Sequence, residues 1–153
     1  VGTLAYRGVM PTNLDLSAPI QGKIWAALKA DAGLIAIVPA GSIYPQTVPA
    51  SAAYPFIKLG ETITTPQFID GNDGSSLSAA VHVFTKLKKG SVPDPRLQAQ
   101  QVNAEVVRVL NAMEGIDIGD GLTLDVFPRL AQVMQDGDAD AYHGFVTFDA
   151  IAS

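Results

Sequence analysis

His82 and His143 are the two imidazoles of the 153-residue chain, and imidazole is the side chain whose ordinary pKa suits proton transfer near neutrality. A general base of that kind needs a partner: a serine or cysteine to activate, and a carboxylate to orient the ring. Neither histidine has a serine or carboxylate at a spacing that announces such a triad, and the G-x-S-x-G turn of the hydrolases is absent. Both lie in expected strands with polar neighbours, so they read as surface or interface histidines. Asp136, Asp138 and Asp140 copy the first three ligand positions of a calcium loop. That loop also needs glycine at its sixth position and a bidentate glutamate at its twelfth, where this chain has Ala141 and Thr147. A solvated hairpin tip is the plainer reading. Asp70-Gly71-Asn72-Asp73-Gly74 fits still less well, with glycine at position five. There is no G-x-G-x-x-G or Walker pattern and no cysteine, so nucleotide sites, thiolate metal sites and disulfides find no support. No catalytic residue, metal ligand or cofactor is expected, and the chain reads as a non-enzyme.

The remaining charges point to surfaces. Lys86, Lys88 and Lys89 form the one basic cluster in a chain of formal charge −5. A strand end in solvent is its ordinary meaning, and contact with an acidic partner is its functional one. Gripping a nucleic-acid backbone needs a basic stripe, which is missing. Hydrophobic residues make up 48% and charged residues 16%; the charge is low for a globular protein, which suggests surface meant to be covered by partners. The longest apolar run, residues 34–38, is far below the ~20 residues of a membrane span. The first residues lack the pattern of a signal peptide, so assembly in a cytosol is expected.

The elements that position these residues follow from spacing. Residues 1–16 show no period and carry Gly2, Gly8 and Pro11, which predicts an extended arm ahead of one domain over 17–153. Ser17 as N-cap and Pro19 open a helix in which Ile20, Ile24, Ala27 and Leu28 share a face, and Asp31 caps a short turn through Val38. Residues 43–55 have loop composition. A strand is expected over 54–63, with Ile57, Leu59 and Ile63 on one side, then a polar surface connection over 68–76. Alternation predicts a strand over 77–87. Val102, Val106, Val109 and Leu110 mark a helix of about 95–113 closed by Gly115. Short extended pieces over 116–124 and a hairpin of 125–135 with 142–151, turning at 136–140, complete the chain. The fold class this order implies is α+β, a mainly antiparallel sheet with two principal helices packed on one face.

Three stretches in this order resemble the tail-completion or tail-terminator proteins of long-tailed bacteriophages and gene transfer agents. They are residues 24–34 leading to Ile43-Tyr44-Pro45 and Tyr54 through Glu61; Ala80 through Thr85 with the helix holding Val102 to Leu110; and Gln135 through Asp138 with Tyr142 through Phe148. The likeness covers about residues 20–151, and the arm is longer than the family's usual lead-in. It implies a ring, commonly sixfold, on the head-proximal end of the tail tube, in a virion assembled in the host cytoplasm. The partners it implies are further copies, the tail tube protein and the head connector or stopper proteins, with DNA passing through the bore unbound. Another neck component, adaptor or stopper, is the alternative, and a small enzyme or ligand-binding module is the third reading. Contact residues are expected in exposed segments: Tyr6 and Arg7 in the arm, Phe68, Asp70, Asn72 and Asp73 in the polar connection, and Lys88 and Lys89 at the basic strand end.

Overall fold

The computed structural model describes residues 15–69, 72–137 and 140–153. Ser17, the expected cap, is already the first residue of α1 (Ser17–Ala30), and its N–H donates to Asp15 Oδ1 at 3.0 Å. Leu16 holds the cap position by burying its side chain, while its N–H donates to the Ser75 hydroxyl at 3.2 Å. Asp31 does cap α2 (Ala32–Ile35), accepting from the Leu34 N–H at 2.9 Å. A 3₁₀ turn (Ala40–Ser42) and the short strand β1 (Ile43–Tyr44) follow, where loop composition gave no sign of a strand. β1 is held because the Trp25 indole N–H donates to the Ile43 carbonyl at 2.9 Å.

The expected strand over 54–63 is two strands. β2 (Phe56–Leu59) ends at Gly60, and β3 (Ile63–Ile69) starts a new pairing in which Ile63 is 72% exposed instead of joining Ile57 and Leu59 in the core. The connection expected over 68–76 is largely strand as well. β4 (Asn72–Lys86) begins inside it, pairs Asn72 with Ile69, and buries Ser75 completely. α3 (Pro95–Asn111) follows, capped by Asp94, whose carboxylate accepts from the Leu97 N–H at 2.9 Å. β5 (Ile116–Gly119), β6 (Leu122–Gln135) and β7 (Ala141–Ala152) complete a 7-stranded sheet of order β1-β2-β4-β7-β6-β5, with β3 paired to β4. Every pairing is antiparallel except β1 with β2.

Strand alternation divides the sheet into two faces. Leu77, Val81 and Val83 of β4 point inward, as do Val146, Phe148 and Ala150 of β7, and they meet Ile20, Ile24 and Leu28 of α1 and Val102, Val106 and Leu110 of α3. Two polar contacts fasten α3 to this core: the buried Thr85 hydroxyl donates to the Pro95 carbonyl at 2.7 Å, and the Asn103 amide to the Gln132 carbonyl at 3.0 Å. A register shift between Pro128 and Leu130 in β6 inserts one residue, so Leu130 turns outward beside Phe127 instead of alternating with it.

Two glycines separate the demands of space from those of the backbone. A Cβ on Gly74 would run into the Ala152 carbonyl oxygen, whereas one on Gly22 in α1 would meet nothing within 4 Å. Gly74→Ala is therefore expected to cost about 2 kcal/mol or more, and Gly22→Ala to add about 0.5–1 kcal/mol from helix propensity. Thermal unfolding of the two variants beside the parent checks both signs.

Candidate interaction surface

The inward parity of each strand is occupied by the core, so the outward parity should be polar, and in the middle of the sheet it is not. Tyr54 and Phe56 from β2 and its approach, His82 and Phe84 from β4, and His143 and Phe145 from β7 form a continuous band on the face away from the helices. Phe56 stacks on Phe84 at 4.9 Å between centroids, and Phe84 on His143 at 4.5 Å with planes 8° apart. Tyr54 lies 5.2 Å from Phe56, and Tyr44 meets Phe56 edge-on at 6.2 Å. Opposed aromatic residues of this kind stabilise cross-strand pairs. These rings are half-buried against one another and open to solvent above.

The two histidines, 61 residues apart in the chain, touch. His82 Nδ1 lies 2.8 Å from His143 Nε2, so one ring donates its N–H and the other must accept through a neutral nitrogen. Burial is the main cause that pushes both below the ordinary value; the charges of His143 and Lys58 lower His82 further, while Asp136 opposes the shift at His143. What surrounds the pair is phenylalanine. No serine, threonine or carboxylate is bonded to either imidazole among the described residues, so the pair has neither a nucleophile to activate nor an orienting acid. No cluster of three metal-ligating side chains occurs among the described residues.

Of the residues expected to make contacts, Lys88 and Lys89 stand exposed just past β4, in a tight turn where the Lys88 N–H donates to the Val92 carbonyl at 3.1 Å. Lys88 also lines an open hollow of about 310 Å³ with Ala53, Tyr54, Lys86 and Leu87, which joins the basic strand end to the aromatic band. The backbones of Phe68, Asn72 and Asp73 lie in the β3–β4 hairpin, where Phe68 pairs with Asp73. Tyr6, Arg7 and Asp70 lie outside the described residues. The aromatic band itself was not among the expected contacts. Its sequence signal is a strand apolar on both parities, Val81 and Val83 alternating with His82 and Phe84.

An α+β subunit with a curled, mostly antiparallel sheet and one uncovered apolar face is the class these observations define. A chain in the virion of a native gene transfer agent particle has the same fold, with a TM-score of 0.70 over 92% of this chain and 98% of that one, at 20% identity. A second solved chain matches at 16% identity and a TM-score of 0.47, over 87% of this chain and 95% of its own. No individually curated protein sequence matches. The sequence profile of the family described as tail completion protein gp17 matches residues 22–153, and the chain belongs to that family. It is thus a structural component of a phage-type tail.

The imidazole pair makes stability depend on pH with a defined sign. Because both folded-state pKa values lie below the ordinary 6.5, the unfolded chain binds protons more readily. Their contribution is complete above about pH 6.5 and declines as the pH falls through the lowered folded values. Asp31 and Asp149, held low by Arg108 and by Ser78 with Arg129, act only below 3.8. Denaturant unfolding at about pH 7.5 and about pH 5.5 should show a loss of stability that His82→Gln/His143→Gln flattens; an equal loss in that variant would exclude the pair as its cause.

Proposed function

We propose that the protein is a tail terminator: a ring of identical subunits on the head-proximal end of the tail tube that stops tube growth and docks to the head connector. The observation that carries this reading is the uncovered band of Tyr54, Phe56, His82, Phe84, His143 and Phe145 in a chain of the tail completion family. Stacked rings left facing water mark a surface that a partner covers. Their spread over several strands gives the broad, shallow contact that subunits make with one another, where a substrate would need a convergent pocket.

A ring requires two different patches on each subunit that meet head to tail and close. The neighbours such a ring meets are tube subunits below and connector proteins above, within a virion assembled in the host cytoplasm. The arm of residues 1–16 and the segment holding Phe68, Asp70, Asn72 and Asp73 belong to these contacts in the proposal. Each copy carries a formal charge of −5, so a closed ring is strongly acidic. An acidic bore repels DNA phosphates and lets the genome slide through without binding.

The protein is to be mixed with its tail-tube subunit and imaged by electron microscopy. The expected result is tubes of limited length with a cap at one end. Phe84→Gln/Phe145→Gln, folded by circular dichroism, should leave most ends bare. Unlimited tubes beside free protein would remove the terminator reading, and binding to connector proteins without any cap would move the function to another neck component.

A further inference from the structure

A strand at the border of a sheet offers a row of unpaired N–H and C=O groups, and proteins ordinarily guard such rows with charge, proline, bulges or brevity. Among the described borders of this sheet, β1 is two residues long, β3 carries Pro66, and the four residues of β5 include Asp117. β6 is different. It is paired with β5 only as far as Leu124, and the Val126 N–H then goes to the Met113 carbonyl at 2.9 Å. Pro128, Arg129 and the bulge guard the next step. Beyond them residues 130–135 carry no charge, no proline and, among the described residues, no strand on the side away from β7.

The hairpin fixes which groups of this edge face outward. Asp136 donates to the Ala141 carbonyl at 2.9 Å, so in the same register Met134, Gln132 and Leu130 exchange bonds with β7, while Ala131, Val133 and Gln135 turn their N–H and C=O groups away from it. The side chains along the row are apolar on both faces. Leu130 is 53% and Met134 42% exposed on the side of His143 and Phe145. On the helix side Ala131 and Val133 line an open groove of about 270 Å³ with Gln100, Ala104 and Val107 of α3. Leu97, 48% exposed, continues that face of α3 by one turn.

A row of this kind is satisfied by another extended chain, whose backbone supplies the bonds and whose alternate side chains fill the pockets beside it. Residues 1–14 have the composition for it: Arg7 is their one charged side chain, and Leu4 and Tyr6 alternate with Ala5 and Arg7. They join the described chain far from β6, where the Asp15 carboxylate lies against the Thr64 hydroxyl of β3 and the Leu16 N–H is bonded to Ser75. With residues 3–8 paired, six residues remain before Asp15, about 20 Å of extended chain. The straight line to the β6 edge of the same copy, across β4 and β7, is also about 20 Å at its shortest. That line runs beneath α1 and α3 through the packed core, and passing over a helix adds its diameter of about 10 Å. An arm paired along β6 therefore comes from a neighbouring copy.

We infer that residues 3–8 of one copy add as a strand along residues 131–135 of the next, bonding to the outward groups of Ala131, Val133 and Gln135, with Leu4 and Tyr6 in the groove beside Ala104 and Val107. This names a subunit contact within the proposed ring and rests on that reading. The arm and the edge are different surfaces, so the contact is heterologous and repeats around a closed ring. The other parity of the arm lies beside Leu130 and Met134, where it widens the aromatic face by one strand.

The chain has no cysteine, so Tyr6→Cys gives a single thiol to which a benzophenone is attached. Unlabelled copies bearing it are to be assembled with an excess of isotope-labelled parent, alone or on tube ends, and irradiated. The expected product joins the arm to residues 97–107 or 130–135 of a labelled copy. Deleting residues 1–8 should raise the concentration needed for assembly about tenfold or more. Val133→Pro, which removes an outward N–H and no bond to β7, should do the same. Both variants are to be checked for folding by circular dichroism. Amide hydrogen exchange in residues 130–135 should slow on assembly of the parent and stay fast in the deleted chain. The arm contact fails, with the ring reading intact, if the parent caps tubes and the folded deletion variant caps them equally well. It fails in the same way if the arm links to its own copy or to the tube protein. A parent that caps no tube and forms no assembly overturns both.

Discussion

The register of β4 against β7 is the constraint on which the rest depends. Twelve residues of β4, Ser75 to Lys86, pair without interruption with Ala152 to Ala141 of β7. Their alternation puts Leu77, Val81 and Val83 against the helices and His82 and Phe84 on the open face. Slipping this pairing by one residue would exchange the two sets, sending imidazoles into the core and valines into water. Burial of the aliphatic set on one face therefore positions the aromatic set on the other.

The helices inherit their places from that pairing. Thr85 and Asn103 are buried polar groups, and each is bonded to a backbone carbonyl, Pro95 at the start of α3 and Gln132 in β6. Leaving either without its partner would cost about 1–3 kcal/mol, so α3 has one favourable seat on the sheet. Gly144 in β7 permits that seat: a Cβ there would stand 2.8 Å from Asn103 Oδ1. On the surface, the Arg108 guanidinium joins Asp31 and Glu105 and so links α2 to α3. It is half-exposed, and such pairs contribute little compared with the apolar core beneath.

Much of this was legible in the residues before any coordinates. Val102, Val106, Val109 and Leu110 at helical spacing mark α3, and the alternation in 77–87 and 142–151 marks the two central strands. The α+β class and the tail-completion family follow from the same stretches. What escaped has a physical cause in each case. β1 is two residues long and exists because Trp25 bonds to Ile43 from another element. β3 opens with an exposed Ile63 followed by Thr64, Thr65, Pro66 and Gln67, so its order comes from pairing with β4 and leaves no apolar period. The outward turn of Leu130 comes from a bulge, which has no composition of its own. The histidine contact depends on strand register across 61 residues, and no local spacing encodes that.

A sheet with one face committed to its own helices and the other left aromatic has consequences for what the chain can do. Catalysis asks for groups that converge in a water-excluded hollow, and a band of rings on neighbouring strands about 4.8 Å apart spreads its groups instead. The same geometry suits recognition between proteins, where many modest contacts act together and a few large aromatic residues dominate the energy. Strands make those rings hard to displace, because moving Phe84 means breaking its pairing with both Phe56 and His143. The band is thus presented rigidly, and little conformational entropy is lost when a partner covers it. For a structural component of a phage-type tail, that preorganisation is the property the two-faced register of β4 supplies.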